Sequence, residues 1–122
     1  MIEIRKLLHP HLRSIWPQVY YQRPPEGAQM PYAVYNLEVS DDGEALHRIL
    51  LDIDGWDRPA GDTMPLENMM AILNKGLNKV TLTSGKLAVS FYLETRLALT
   101  DEDPKVHRRR YTYQGRMFER GE

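Results

Sequence analysis

Pro31-Tyr32-Ala33-Val34-Tyr35-Asn36-Leu37-Glu38-Val39, then Ser40-Asp41-Asp42-Gly43, then Ala45-Leu46-His47-Arg48-Ile49-Leu50-Leu51-Asp52-Ile53-Asp54-Gly55-Trp56-Asp57, decides the fold of this chain. Two runs rich in β-branched and aromatic residues flank an Asp/Gly turn, which predicts a β-hairpin. In the second arm Ile49, Leu51 and Ile53 share one face, and Arg48, Asp52 and Asp54 share the other. That alternation belongs to an antiparallel sheet packed on one side only. Leu50 and Trp56 fall on the polar face, which makes them candidate contacts for another subunit. No nucleophile, metal cluster or phosphate loop sits on either arm. Long strands without chemistry point to a surface that touches other proteins.

Outward from the hairpin, two helices are expected. Ile4, Leu7, Leu8, Leu12 and Ile15 recur at helical spacing and predict a helix from about Ile2 to Ile15. Pro10 removes a backbone donor inside it, which predicts a kink or break near His9. After the hairpin, Leu66, Met69, Met70, Leu73 and Leu77 form the cleanest helical stripe. Pro65 suits its first turn, Asp62 or Thr63 its cap, and Gly76 weakens its end near Asn78. Val19-Tyr20-Tyr21 reads as a short strand and Arg23 to Gly27 as a loop. Val80 to Thr83 is a short β-prone piece before a Ser84-Gly85 turn. Leu87, Val89, Phe91 and Leu93, continued by Leu97 and Leu99, predict one long alternating strand. A charged turn at Thr100 to Pro104 leads to the last strand, Val106 to Phe118. The order is α+β: an antiparallel or mixed sheet with two helices on one face, in a single domain spanning residues 1–122.

Composition narrows the function classes. A net charge of -1 gives no overall attraction to DNA or anionic lipid. The chain contains 0 cysteines, so disulfides and thiolate zinc sites are excluded. Apolar runs fall far short of the roughly 20 residues that span a bilayer, and the N-terminus does not resemble a signal peptide. A soluble, cytoplasmic protein without membrane partners is the expectation.

The candidate chemistry is thin. His9, His11, His47 and His107 are spread out; on a helix His9 and His11 point about 200° apart, so they read as solvated surface residues rather than ligands. Asp52, Asp54 and Asp57 resemble a carboxylate cluster, but the calcium-loop pattern fails, and acids on the wet face of a strand are expected. Ser14, Ser40, Ser84 and Ser90 sit in no nucleophile elbow. Neither an enzyme nor a cofactor is expected. Arg108-Arg109-Arg110, with Arg116, Arg120, Tyr111 and Tyr113, concentrates charge. Strand alternation sends Arg109 away from Arg108 and Arg110, and Asp101 to Asp103 offset part of it. This strand reads as a charged edge or subunit contact, with a nucleic-acid-binding module as the alternative.

The layout resembles the tail terminator or tail completion proteins of long-tailed phages and prophages, the lambda-type terminator group. The resembling features are Pro31-Tyr32-Ala33-Val34-Tyr35 after a Pro-rich loop, the Asp/Gly hairpin and the long strand ending at Asp54-Gly55-Trp56. The helix Leu66 to Leu77 and the late acidic turn into Val106-His107-Arg108-Arg109-Arg110-Tyr111 complete them. The resemblance implies a virion protein, assembled in host cytoplasm, that caps the tail tube as a homohexameric ring. Its partners would be the tail tube protein and the head-tail connector, with DNA passing transiently through the lumen; another neck component, such as a head-closure protein, is a close variant. It implies no catalytic residues. Leu50 to Trp56 would bridge to a neighbouring subunit. Loops 23–30, 58–64 and 100–105, including Asp101 and Asp103, would meet tube or connector. Arg108, Arg110 and Arg116 would face a neighbour or the lumen.

Overall fold

The computed structural model describes residues 2–41, 47–58, 61–85 and 87–119. The elements are α1 (Ile2–Ile15), β1 (Val19–Tyr21), β2 (Tyr32–Asp41), β3 (His47–Asp57), α2 (Met64–Leu77), β4 (Val80–Ser84), β5 (Leu87–Leu99) and β6 (His107–Glu119). They form an α+β fold whose six strands run β1-β2-β3-β6-β5-β4. Only the β1–β2 pair is parallel. Both helices pack on one face, as the one-sided alternation requires. The turn expected at Ser40 to Gly43 begins inside β2, and its remainder lies outside the described residues, as do Ala45, Leu46 and Arg120.

The core lies between the helices and the odd-numbered side chains of β2, β3 and β6. Ile49, Leu51 and Ile53 meet Ala33 and Tyr35 on one side and Tyr111 and Tyr113 on the other, beneath Leu66, Met69, Met70 and Leu73. Each such aliphatic side chain contributes about 1.5–3 kcal/mol of burial. Polar tips anchor the helices: Tyr113 donates its hydroxyl hydrogen to Asn74 Oδ1 at 2.7 Å, and His9 Nδ1 lies 2.7 Å from the Tyr35 hydroxyl. His11 Nε2 donates to the Gly76 carbonyl at 2.7 Å, tying α1 to α2. His9 and His11 are therefore half-buried fasteners, not the solvated residues expected from sequence.

Two local expectations change, at Pro10 and in β5. α1 runs unbroken through Pro10, because the missing donor and the Lys6 carbonyl it would serve lie on the exposed side. α2 ends at Leu77 with Asn78 as its cap, as expected, and at Gly76 a side chain would meet Ile15 Cδ1 at 2.5 Å; glycine there lets the two helices approach. The alternation of β5 breaks at a bulge between Leu93 and Thr95. The extra residue puts Leu97 and Leu99 on the face opposite Leu93, beside Arg110 and Arg108. At the start of α2, Asp62 Oδ1 accepts the Met64 N–H at 2.9 Å, and Thr63 occupies the cap position without a side-chain bond.

Candidate functional site: the open face of the sheet

Even-numbered residues of β2, β3 and β6 point away from the helices. They form cross-strand rows: Tyr32–Trp56–Arg108, Val34–Asp54–Arg110, Asn36–Asp52–Thr112, Glu38–Leu50–Gln114 and Ser40–Arg48–Arg116. Beyond the bulge, β5 adds Leu99 and Leu97 to the first two rows. This open face holds most of the residues singled out from sequence.

Its centre is an ion cluster. Arg110 Nε donates to Asp54 Oδ1 at 2.7 Å and its Nη2 to Oδ2 at 2.9 Å, a bidentate clamp; Arg108 Nη2 reaches Oδ2 at 3.5 Å. The Asp54 side chain is only 10% exposed. The hydrogen bonds that Arg110 donates to Asp54 raise the Arg110 pKa further above its ordinary value. Asp52 accepts a hydrogen bond from the Thr112 hydroxyl at 2.6 Å. The wet-face reading of these acids is thus corrected: Asp54 is a buried counter-ion, because the pairing of β3 with β6 sets it directly opposite Arg110. Alternating Asp52/Asp54 and Arg108/Arg110 carried that signal, but only to a reader who knew the two strands were neighbours.

Trp56 closes one end of the cluster. The Arg108 guanidinium lies 3.9 Å from its ring centroid, and Tyr32 stacks on it at 6.4 Å. Burial raises the Tyr32 phenol pKa, with Arg108 opposing and Asp101 adding to the shift. Arg109 points to the helix side, as alternation predicts, and pairs with Glu67 of α2. Leu50 is 38% exposed between Glu38 and Gln114. Arg116 is exposed, its guanidinium 5.7 Å from the Tyr92 ring centroid.

The candidate residues fall into three places. Trp56, Arg108 and Arg110 meet around Asp54; Leu50 and Arg116 lie farther along the same face. Asp101 and Asp103 sit in the β5–β6 loop, where Asp101 Oδ1 accepts the Asp103 N–H and Asp103 Oδ2 pairs with Arg58 at 2.8 Å. Sequence reading missed the rest of the open face: Tyr92, Leu97 and Phe118 are 41%, 49% and 51% exposed. The bulge hid Leu97. Among the described residues, no group of three His, Asp or Glu is placed to hold a metal, and no helix is long and apolar enough to cross a membrane. The face can do one thing chemically: present apolar side chains and a fixed pattern of charge to a flat partner.

No family model matches the chain, and no curated protein matches it. Solved structures do. A chain in the virion of a native gene transfer agent particle matches with a TM-score of 0.71 at 18% identity, covering 95% of this chain and 94% of that one. A second solved structure, whose name carries no functional description, matches with a TM-score of 0.72 at 13% identity over 98% and 93%. At these identities the likeness shows a shared fold over nearly the full length of each chain.

Proposed function

We infer that this chain is a structural assembly protein of a phage-like particle: a tail terminator that caps the tail tube as a hexameric ring and offers the head-side joining surface. The observation that carries this is the end-to-end fold likeness to a chain of a gene transfer agent virion. The open face supports it, since its exposed Leu50, Tyr92, Leu97 and Phe118 suit protein contact. The arginine strand supports it over a nucleic-acid module. Arg108 and Arg110 are bound to Asp54 and Arg109 to Glu67, so the run is spent on internal acids rather than offered to phosphates. In this reading the protein is not an enzyme, resides in the neck of the virion, and lets DNA pass through its ring.

The test adds purified protein to growing tail tubes in vitro. Capped tubes of fixed length, with six-fold end-on rings by negative-stain microscopy, are expected. Tubes that elongate unchanged would overturn the terminator assignment.

A further inference from the structure

Both flanks of the sheet are only half covered. β1 pairs with β2 at Ala33 to Tyr35, so among the described residues no strand lies on the outer side of Asn36 to Asp41, whose inner side pairs with β3. β4 pairs with β5 only from Leu87 to Phe91, and the Leu93 N–H is taken by Asn78 Oδ1. The outer edge of Glu94 to Leu99 is bare in the same sense. The bare segments, 36–41 and 94–99, are equally long.

Their peptide groups can be oriented. Ala33 N–H donates to the Gln18 carbonyl and Gln22 N–H to the Tyr35 carbonyl, so Ala33 and Tyr35 aim outward. Alternation extends this to Leu37 and Val39. On β5, Phe91 and Leu93 aim outward; the bulge shifts the parity, so Arg96 and Ala98 do so beyond it. The segments also lie at diagonal corners. Tyr35, Ile53, Tyr111 and Arg96 share one row, and Val39, Ile49, Gly115 and Phe91 another. β1 thus covers the end at which β5 is bare, and β4 covers the end at which β2 is bare.

We propose that the bare edge of β2 in one copy pairs antiparallel with the bare edge of β5 in a second copy, Val39 beside Arg96 and Leu37 beside Ala98. The sheet then continues from copy to copy, head to tail. This deepens the ring reading and rests on its premise that copies of the chain associate.

Four observations favour that occupant. In this register both segments overlap completely, and the outward groups of Leu37 and Val39 meet those of Arg96 and Ala98. The helix-side residues of both strands stay on one side, so the faces of neighbouring copies are continuous. Neither segment contains Lys or Pro, residues that usually blunt a free edge, and exposed Leu97 comes to lie beside Glu38, next to Leu50. Head-to-tail pairing also covers both bare segments of every copy, whereas a two-fold pairing covers one and leaves the other bare. The geometry suits closure. Each copy is displaced along its strands by about four residues, roughly 13 Å, for four long strands about 19 Å wide. That stagger tilts the strands by about 35°, within the range of closed barrels.

The test uses Val39→Pro and Ala98→Pro. Proline is tolerated in an edge strand where its nitrogen faces outward, so each variant blocks one edge and keeps the other. Sedimentation velocity should find each variant monomeric, and an equimolar mixture should give a one-to-one dimer and nothing larger. Far-ultraviolet circular dichroism checks that both are folded. A third variant, Glu38→Lys with Leu97→Lys, changes two exposed side chains and sets lysine against lysine at every seam; it should weaken association about five-fold. Wild-type-sized assemblies from either proline variant, or a dimer of one alone, would overturn the seam and leave the ring reading standing. A wild-type chain monomeric at every concentration would overturn both.

Discussion

Asp54 shows how one residue changes meaning with its neighbour. On its own strand it is an acid on the polar face; opposite Arg110 it is the counter-ion of two partly buried guanidinium groups. Removing it leaves those cations unpaired in a site where the Arg110 side chain is still 36% exposed. Asp54→Ala should therefore cost about 2 kcal/mol, less than a fully buried pair would. Urea unfolding measures this, and Asp54→Ala with Arg110→Ala should recover part of the loss. A single-variant loss under about 0.5 kcal/mol would contradict the clamp. The same geometry bears on charge reversal: Glu at Arg108 and Arg110 would set acids against Asp54 and damage the fold itself, so Arg116 alone probes the surface. His9 gives a pH signature. Burial, then Arg13 and Arg5, lower its pKa from the usual 6.5, while burial holds the Tyr35 hydroxyl protonated, its pKa pushed up to about 12. The unfolded chain therefore takes up the His9 proton first. Its contribution to stability is whole above about pH 6.5 and lost as pH falls from there toward the lower folded pKa. Melting temperature should drop between pH 7.5 and 5, and His9→Gln should flatten that slope; an unchanged slope would remove His9 as the cause.

Elements divide into those that announce themselves and those that depend on a partner. The spacing of Leu66, Met69, Met70, Leu73 and Leu77 defines α2, and all five are buried. α1 ends where Trp16 and Pro17 follow Ile15, and its buried residues Ile4, Leu8 and Leu12 are those of the apolar stripe. The hairpin arms and their inward residues were legible for the same reason: period fixes which face is buried. Period does not say which strand lies alongside. β3 pairs with β6 across the 49 residues 58–106, which hold α2, β4 and β5, so the sequence could not show that Asp54 meets Arg110. Nor could it reveal the β5 bulge, a single extra residue that leaves both halves alternating but moves Leu97 to the other face. Gly55 belongs with the hidden features. It lies on the inward face of β3, where a side chain would meet Met70 Sδ at 2.6 Å, Met69 Cε at 2.9 Å and Leu66 Cδ1 at 3.0 Å. The thioethers can yield, but three neighbours must move together. Gly55→Val should destabilise by about 1–3 kcal/mol, read from the urea midpoint at unchanged m-value. Equal or greater stability would mean that α2 has room to shift.

At the scale of the molecule, the open face carries a like-charge pair whose cross-strand row holds no acid among the described residues. Arg48 and Arg116 sit directly opposite each other, and their row continues through Ser40 and Ser90 with no acid to separate them. Like charges placed so destabilise a sheet by about 0.2–1 kcal/mol. Elsewhere on this face charge is balanced with care, as Asp54 shows, so the exception is informative: a local conflict of this kind belongs where a partner completes the pattern. Among the described residues, the Arg116 guanidinium rests near Tyr92, itself 41% exposed. An acidic strip on a tube, connector or neighbouring copy would satisfy both cations at once, and the flanking Leu50, Tyr92 and Phe118 would exclude water from the contact. Arg116→Thr separates the two roles. It removes the repulsion, so the isolated chain should gain about 0.5 kcal/mol in urea unfolding. It also removes half the cationic pair, so tube capping should weaken several-fold and lose much of its dependence on salt. A more stable chain that caps as well as wild type would show that the pair faces no partner, and that the conflict is merely tolerated.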